Sequence, residues 1–390
     1  MGRLKSLIAR SAPLLEVVIT ARPSWARVKS LIFSYSELVG PEKCRVSLVG
    51  PALSARYGDI SSQIPPNISV RSFPTLRESD DLGAVALTGI DTAYSLATNW
   101  AQSRPDCILV IADRTETLGV SMAAALMQIP LIHLQGGEVS GSIDNKIRDT
   151  NTKLADFHLT TNDESKQYLL GIGEDETRIK VIGCPSIDGV KHIMEENKPW
   201  NLLDLGGVGC DVNSEQEYGI IMFHPDTLDD SSNSLWVYSL IEAVGTSILS
   251  WFWFWPNPDH GSNEISKIIR RCREQGLLQN VRFIINVTPD DFVRLATRAC
   301  ILIGNSSFGI RESSYIGLPT LNLGLRQNGR QRGSNVVDLP RPSANHIHRA
   351  ILELAGKKYP SSKLYGDGSA GLRGAQFIAS WNPRLKGKID

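Results

Sequence analysis

The sequence predicts an α/β protein of two halves, each a parallel sheet flanked by helices. Short β-branched runs alternate with patterns of helical period along most of the chain. The alternation pauses once, at Gly183-Cys184-Pro185, and then resumes. With 390 residues, 42% of them hydrophobic, the chain has material for two or three cores of ordinary size. Strand–helix alternation implies right-handed crossovers, hence parallel strands. The expected boundaries are residues 1–185 for the first domain and 186–372 for the second, with 373–390 packing back on the first.

In chain order, Leu14 to Thr20 (LLEVVIT) is the first strand, and Trp25, Val28, Ile32 and Tyr35 follow at helical spacing. Arg45 to Val49 and Asn67 to Ser72 are the next strands, and Thr88 to Ser103 reads as a helix. Cys107 to Ala112 (CILVIA) is a fully buried strand, because no polar residue interrupts it. A helix over Leu118 to Met127, a strand over Pro130 to Leu134, a helix over Asp144 to Phe157 and a strand over Phe157 to Thr161 complete the first half. The second half repeats the scheme. Its strands are Tyr218 to Phe223, Ser250 to Trp255, Val281 to Ile285, Cys300 to Ile303 and Pro319 to Leu323. Its helices lie around Leu235 to Leu249, Ile265 to Glu274, Phe292 to Arg298 and Ile310 to Tyr315. Residues 225–234 and 359–374, rich in Asp, Ser and Gly, read as loops.

Lys plus Arg and Asp plus Glu each number 41, so the formal charge is zero. That removes the basic excess with which a nucleic-acid-coating protein displaces counterions. The aromatic run Trp251 to Trp255 (WFWFW) accordingly belongs to a core strand. Six cysteines lie far apart, with no C-x-x-C pair and no histidines at metal spacing. This argues against a zinc ribbon or disulfide scaffold and for a reducing compartment. No apolar run reaches the length of a membrane span. The N-terminus (MGRLKSLIARSAPLL) lacks a clean apolar core with a cleavage site, and its match to M-G-x-x-x-S is read as coincidence. A cytoplasmic protein is expected, with neither membrane nor nucleic acid as partner. No G-x-G-x-x-G follows the first strand, which disfavours a nicotinamide cofactor, and a Walker lysine, H-E-x-x-H and G-x-S-x-G are missing.

The sharpest local signal is the strand ending at Gly304, followed by Asn305-Ser306-Ser307-Phe308-Gly309 and Ile310-Arg311-Glu312. A buried strand that opens into a helix offers free amides and partial positive charge, which suit a phosphate. Ser306 and Ser307 add hydroxyls, and Glu312 could accept from ribose; a plain capped Asn-Ser turn fits the spacing equally well. Asp113-Arg114-Thr115-Glu116 closes the CILVIA strand, where a parallel sheet presents ligand contacts. Adjacent strand residues point to opposite faces, which weakens a simple Asp113–Arg114 pair. His133-Leu134-Gln135-Gly136-Gly137-Glu138 follows the next strand, and its glycines permit close approach. Asp144 and Arg148, four apart, share one helix face, as a ligand site or as a surface ion pair. Arg22, His224, Asn257 and Asp259 also follow strands. Arg326, in a loop with Arg330, would give a diphosphate planar multi-donor recognition. A ligand is expected in the cleft between the halves.

Taken in order, these motifs resemble the UDP-N-acetylglucosamine 2-epimerase family from about Val17 to Val337. The resemblance rests on Arg22, DRTE, HLQGGEVSGSIDNKIR (133–148), Thr152-Lys153-Leu154-Ala155, Phe223-His224-Pro225, WPNPDHGS (255–262), GNSSFGIRE (304–312) and LNLGLRQNGR (321–330). The DRTE and GGEVSGSID forms resemble its hydrolysing branch. The resemblance implies two Rossmann-like domains facing across a cleft (GT-B-like), a nucleotide-sugar substrate and a homodimer or homotetramer. It implies conversion of UDP-N-acetylglucosamine and water to N-acetylmannosamine and UDP, the entry to sialic acid synthesis. A base takes the C2 proton while UDP leaves C1, and water then adds across the double bond. Arginines and helix amides can carry the departing diphosphate, so no metal and no cofactor are expected.

By position, Asp113 and Asp144 match the family's catalytic acids. Arg22, Arg114, His224, Asn257, Ser306, Ser307, Glu312 and Arg326 match nucleotide contacts, and Glu116, His133, Arg148 and Asp259 join them as substrate-binding candidates from the same motifs. Three positions depart from the pattern. Gln135 replaces an expected catalytic glutamate and cannot take a proton at neutral pH. Arg148-Asp149 replaces Arg-His, and Ala26 a hydroxyl residue. Glu138 or Asp149 would then take over the proton transfer. Three other readings stay open: the same reaction on a diacetamido or GDP-linked sugar, a GT-B glycosyltransferase, and a sensor that binds a nucleotide sugar without turnover.

Overall fold

A computed structural model describes residues 11–381 apart from 80, 197–199, 201–204, 214–215, 227–228, 258 and 286. The Met-Gly pattern and residues 382–390 of the expected C-terminal segment lie outside the described residues. The chain divides into two units, one holding Met1–Glu138, Asp144–Gly189 and Gly366–Asp390, the other Val139–Ile143 and Val190–Tyr365.

In the first unit the apolar runs become strands buried on both faces. The elements are β1 (Leu15–Ile19), α1 (Arg22–Ala26), α2 (Lys29–Val39), β2 (Cys44–Val49), β3 (Ser69–Phe73), α3 (Leu82–Gln102), β4 (Cys107–Ile111) and α4 (Thr115–Leu126). Then come β5 (Leu131–Leu134), α5 (Asp144–Leu154), β6 (Phe157–Thr160), α6 (Asp163–Gly171), β7 (Ile179–Val181) and α7 (Pro185–Glu195), which runs on into the second unit. The sheet order is β3-β2-β1-β4-β5-β6-β7, all parallel. Successive side chains alternate between faces. Val17, Ile19, Leu109 and Ile111 pack with Trp25 and Ile32, while Val18, Ile108 and Val110 pack with Leu96, Trp100 and Val120.

In the second unit, β8 (Val208–Gly209), β9 (Tyr218–Met222), α8 (Asp230–Gly245), β10 (Ser250–Phe254), α9 (Ser262–Glu274), β11 (Val281–Ile284), α10 (Pro289–Arg298) and β12 (Ile301–Gly304) are followed by α11 (Glu312–Ile316), β13 (Thr320–Leu323), β14 (Val336–Leu339) and α12 (Ala344–Leu354). The order is β14-β13-β12-β9-β10-β11-β8, and among the described residues only the short edge strand β8 is antiparallel. Trp251 and Trp253 fill one face and Phe252 and Phe254 the other, so the aromatic run is core.

Helix α13 (Ala370–Ser380) belongs to the first unit, where Ala375 and Ile378 join the core beside Leu31. Its first amides are held by a residue distant in sequence: Asp188 accepts from Ala370 N–H at 2.9 Å and from Gly371 N–H at 2.6 Å. Ser30 Oγ donates to the same carboxylate at 3.0 Å. Asp188→Ala leaves these donors without that acceptor and is expected to cost about 1–3 kcal/mol in urea unfolding. An unchanged unfolding midpoint would show that α13 docks through its apolar face alone.

No helix among the described residues is long and apolar enough to cross a membrane. All six cysteines are free thiols.

Candidate active site

The order of the first sheet reverses direction between β1 and β4, and in open α/β sheets ligands bind outside the carboxyl ends of strands at such a switch point. Arg22 opens α1 directly after β1, and burial lowers its guanidinium pKa to about 10. After β4 and β5 the chain turns sharply: Ala112 (φ 58°) and Gln135 (φ 67°) both adopt the left-handed conformation that side chains disfavour.

His133 explains how one of these turns is held. Its ring is fully buried, with Nε2 2.8 Å from the Ala112 carbonyl and Nδ1 3.1 Å from Thr152 Oγ1. Burial drives its pKa down to about 3, so the ring is neutral. The carbonyl can only accept; hence Nε2–H donates to it, and Nδ1 accepts from the Thr152 hydroxyl. Both ring nitrogens are used inside the protein. His133 therefore braces the turn that presents Asp113. Between pH 6.5 and 3 the unfolded chain binds a proton here that the native chain does not. The stability linked to this ring is complete above about 6.5 and is lost as pH falls. From pH 6.5 to 5 the loss is on the order of 2 kcal/mol, visible in urea melts and absent from a His133→Gln variant.

Arg148, on α5, is the centre of the acidic group. Wholly buried, it donates to the Asp113 carboxylate, to the Glu138 carbonyl and to Asn145 Oδ1 at 3.2 Å. Burial alone would lower its pKa, but the carboxylates of Asp113, Glu138 and Asp144 outweigh that and hold it raised. Three expected acids thus surround one cation, and the surface ion-pair reading of Arg148 is set aside. Glu138 also accepts from Thr161 Oγ1 at 3.2 Å. Arg114 instead folds onto Glu116, two contacts at 3.0 and 3.3 Å. The DRTE motif therefore serves two pairs, neither of them between Asp113 and Arg114.

Gln135 and Asp149 have partners of their own, and Asn145 links Asp149 to Arg148. Gln135 is buried, its N–H donating to the Leu159 carbonyl at 2.9 Å and its Nε2 to Cys184 Sγ at 3.0 Å. Asp149 Oδ2 accepts from Tyr168 Oη at 2.9 Å and Asn145 Nδ2 at 3.1 Å, while its Oδ1 is buried without a hydrogen-bond partner. One residue beyond Arg148, it is turned about 100° around α5 and engages α6.

In the second unit Asn305 joins three loops, a role the sequence reading missed. It exchanges two hydrogen bonds with the backbone of His224 (2.7 and 2.8 Å), and its carbonyl accepts from Gln327 Nε2 at 2.8 Å. His224 Nδ1 accepts from Asn257 N–H at 3.2 Å, which leaves the proton of a neutral ring on Nε2. Arg326 reaches Asp259 at 3.3 Å. Ser306 Oγ accepts from Phe308 N–H at 3.4 Å, and Ser307 Oγ from Arg311 at 3.1 Å. β12 does not open directly into a helix, as expected: a 3-10 turn over Ser307–Gly309 intervenes, and α11 has only five residues. Any phosphate here would be held by turn amides and Arg326 more than by a helix dipole. Glu312 is buried beside Arg311, 3.8 Å away. Val139–Ile143 pack with this unit, where Gly141 N–H donates to the Arg326 carbonyl at 3.1 Å and a Cβ at Gly141 would collide with the Leu325 carbonyl.

A family model described as UDP-N-acetylglucosamine 2-epimerase matches residues 44–379. The chain is 30% identical over 275 residues to UDP-N,N'-diacetylbacillosamine 2-epimerase (hydrolyzing) of Legionella pneumophila, covering 70% of this chain and 71% of that one. It is 27% identical over 350 residues to GDP/UDP-N,N'-diacetylbacillosamine 2-epimerase (hydrolyzing) of Campylobacter jejuni, covering 88% of each. The structure of UDP-GlcNAc 2-epimerase from Neisseria meningitidis bound to UDP-GlcNAc superposes with a TM-score of 0.73 at 18% identity, covering 93% of this chain and 99% of that one. The fold is the GT-B-like pair of parallel-sheet α/β units.

Proposed function

The chain belongs to the UDP-N-acetylglucosamine 2-epimerase family, and on that premise we propose that it is a hydrolysing member, converting UDP-N-acetylglucosamine and water into N-acetylmannosamine and UDP. The observation that carries the reading is the buried Arg148 with Asp113, Glu138 and Asp144 around it. An opposite charge at hydrogen-bond distance favours the ionised carboxylate, the form a base needs. Asp113 takes the C2 proton as the C1–O bond breaks, its electron pair leaving with UDP; the C2–H electrons form the C1–C2 double bond. Water then adds its hydroxyl to C1, and C2 is protonated from the opposite face by Asp144 or Glu138. Arg22, Arg326 and the amides of the 305–309 turn stabilise the charge developing on the diphosphate. The test is an NMR time course with UDP-N-acetylglucosamine: free N-acetylmannosamine supports the proposal, and unchanged nucleotide sugar contradicts it.

A second reading has a specific observation behind it. Two similar proteins carry names of 2-epimerases for a diacetylated sugar, one of them with GDP as well as UDP. The same machinery would then act on a 2,4-diacetamido hexose, and the same assay with that UDP sugar separates the two.

Gln135 has no proton to give or take, so the proposal assigns it no transfer. Gln135→Glu would bury a carboxylate against Cys184 Sγ and is expected to lower the melting temperature without raising kcat. A rise in kcat would instead favour the sensor reading, with the natural glutamine as its cause.

A further inference from the structure

Arg148 is held at both arms of its fork. Nη2 donates to the Asp113 carboxylate, while Nη1 donates to the Glu138 carbonyl and to Asn145 Oδ1 at 3.2 Å. A guanidinium is planar and rigid, so the acceptors on Nη1 fix the direction in which Nη2 meets Asp113. Asn145 is one of those acceptors, yet the two ends of its amide have nearly the same shape. By shape alone, either the oxygen or the NH2 could face Arg148. Asp149 decides between them.

Asn145, Arg148 and Asp149 are spaced i, i+3 and i+4 on α5. Arg148 lies about 60° to one side of Asn145 around the helix and Asp149 about 40° to the other. Asn145, one turn earlier, thus touches both. Arg148 has only donors, and the Asp149 carboxylate only acceptors. One orientation of the amide serves the two, with Oδ1 on Arg148 and Nδ2 on Asp149 Oδ2 at 3.2 and 3.1 Å. The reversed amide would set NH2 against guanidinium and oxygen against carboxylate, and lose both bonds. Tyr168 of α6 holds Asp149 in turn, donating to the same Oδ2 at 2.9 Å. Burial first, then the bond to Asp149, raises the phenol's pKa, so it is protonated and able to donate. Asp149 stands where the family resemblance expects a histidine. An imidazole can donate as well as accept, and would not by itself fix the amide this way.

We infer that Asp149 is a positioning residue: it fixes the Asn145 amide, which aims Arg148 at Asp113. Resting on the 2-epimerase reading, it thereby supports proton transfer at C2 without taking the proton. Asp149→Leu removes the acceptor and is expected to lower kcat about 10²-fold with KM little changed, the scale of a misaimed reacting group. Asp149→Asn keeps an oxygen that can accept from Asn145 Nδ2 and Tyr168 Oη, and should stay within about threefold of the parent. If Asp149 moved the proton itself, both variants would be equally inactive, which overturns the inference. Asn145→Ala should show the same fall as Asp149→Leu, and combining the two should cost nothing further, because they act in series. Losses that multiply overturn it. A crystal structure of Asp149→Leu gives a readout that needs no turnover. The Arg148 fork is expected to have left hydrogen-bond distance of Asp113, and an unmoved fork overturns the inference. A parent that converts neither UDP-N-acetylglucosamine nor the 2,4-diacetamido UDP sugar sinks the 2-epimerase reading alone, and that crystal structure still decides what Asp149 holds.

Discussion

Asp113→Asn is expected to lower kcat by at least about 10³-fold, at the upper part of the range that general acid–base groups supply. The substitution keeps the shape and a hydrogen-bond acceptor for Arg148 but removes the carboxylate that would take the C2 proton. KM should change little, because binding of the nucleotide is assigned to other residues. The structural part of the effect can be read separately. Asn leaves Arg148 with the charges of Glu138 and Asp144, so the loss of stability should be much smaller than the loss of rate. A fall in kcat of less than tenfold would remove Asp113 from the chemistry.

Arg148→Met should produce the largest effect on stability. The side chain is fully buried, and its loss removes the cation that Asp113 accepts from and that the charges of Glu138 and Asp144 attract. Breaking a buried pair from one side costs about 3–5 kcal/mol, because the remaining charge stays buried without its counter-ion. The cost should shrink at low pH, where the carboxylates protonate. Combining Arg148→Met with Asp113→Asn should cost less than the sum of the two single changes, since residues in one network are not additive. Urea titrations of the four proteins decide this, and simple additivity would mean that the two side chains do not interact.

The parts of the fold legible in sequence are those where hydrophobic pattern alone fixes the state. CILVI and SWFWF have no polar interruption, and both became strands buried on both faces. Several of the elements missed are short or polar. β7 is three residues at a sheet edge, and β14 presents a half-exposed Val-Val-Asp-Leu, so neither offers a long enough apolar alternation. α6 reads as polar, although Asn162 caps it by accepting from Ser165 N–H at 2.9 Å, a start signal that was available. α8 and α13 begin inside stretches read as loops, because Asp, Ser and Gly at helix starts look like turn residues.

The site was legible as a set of positions after strands, and less so as a set of partners. Spacing suggested Asp144 as the face-mate of Arg148, whereas folding brings Asp113, 35 residues earlier, into direct contact with it. His133 drew attention as a titratable residue at a strand end, yet tertiary burial makes it a brace. Asn305, an ordinary turn residue by sequence, acquires its role only when the ends of β9 and β12 lie side by side.

The reaction run in deuterated water tests the proposal most directly. If carboxylates flank the second carbon of a nucleotide-linked amino sugar, the freed hexose carries one deuterium at C2, inverted there, and UDP accumulates with it. A released sugar with its original hydrogen at that carbon would mean simple cleavage at C1, and no acid near Arg148 would have moved a proton.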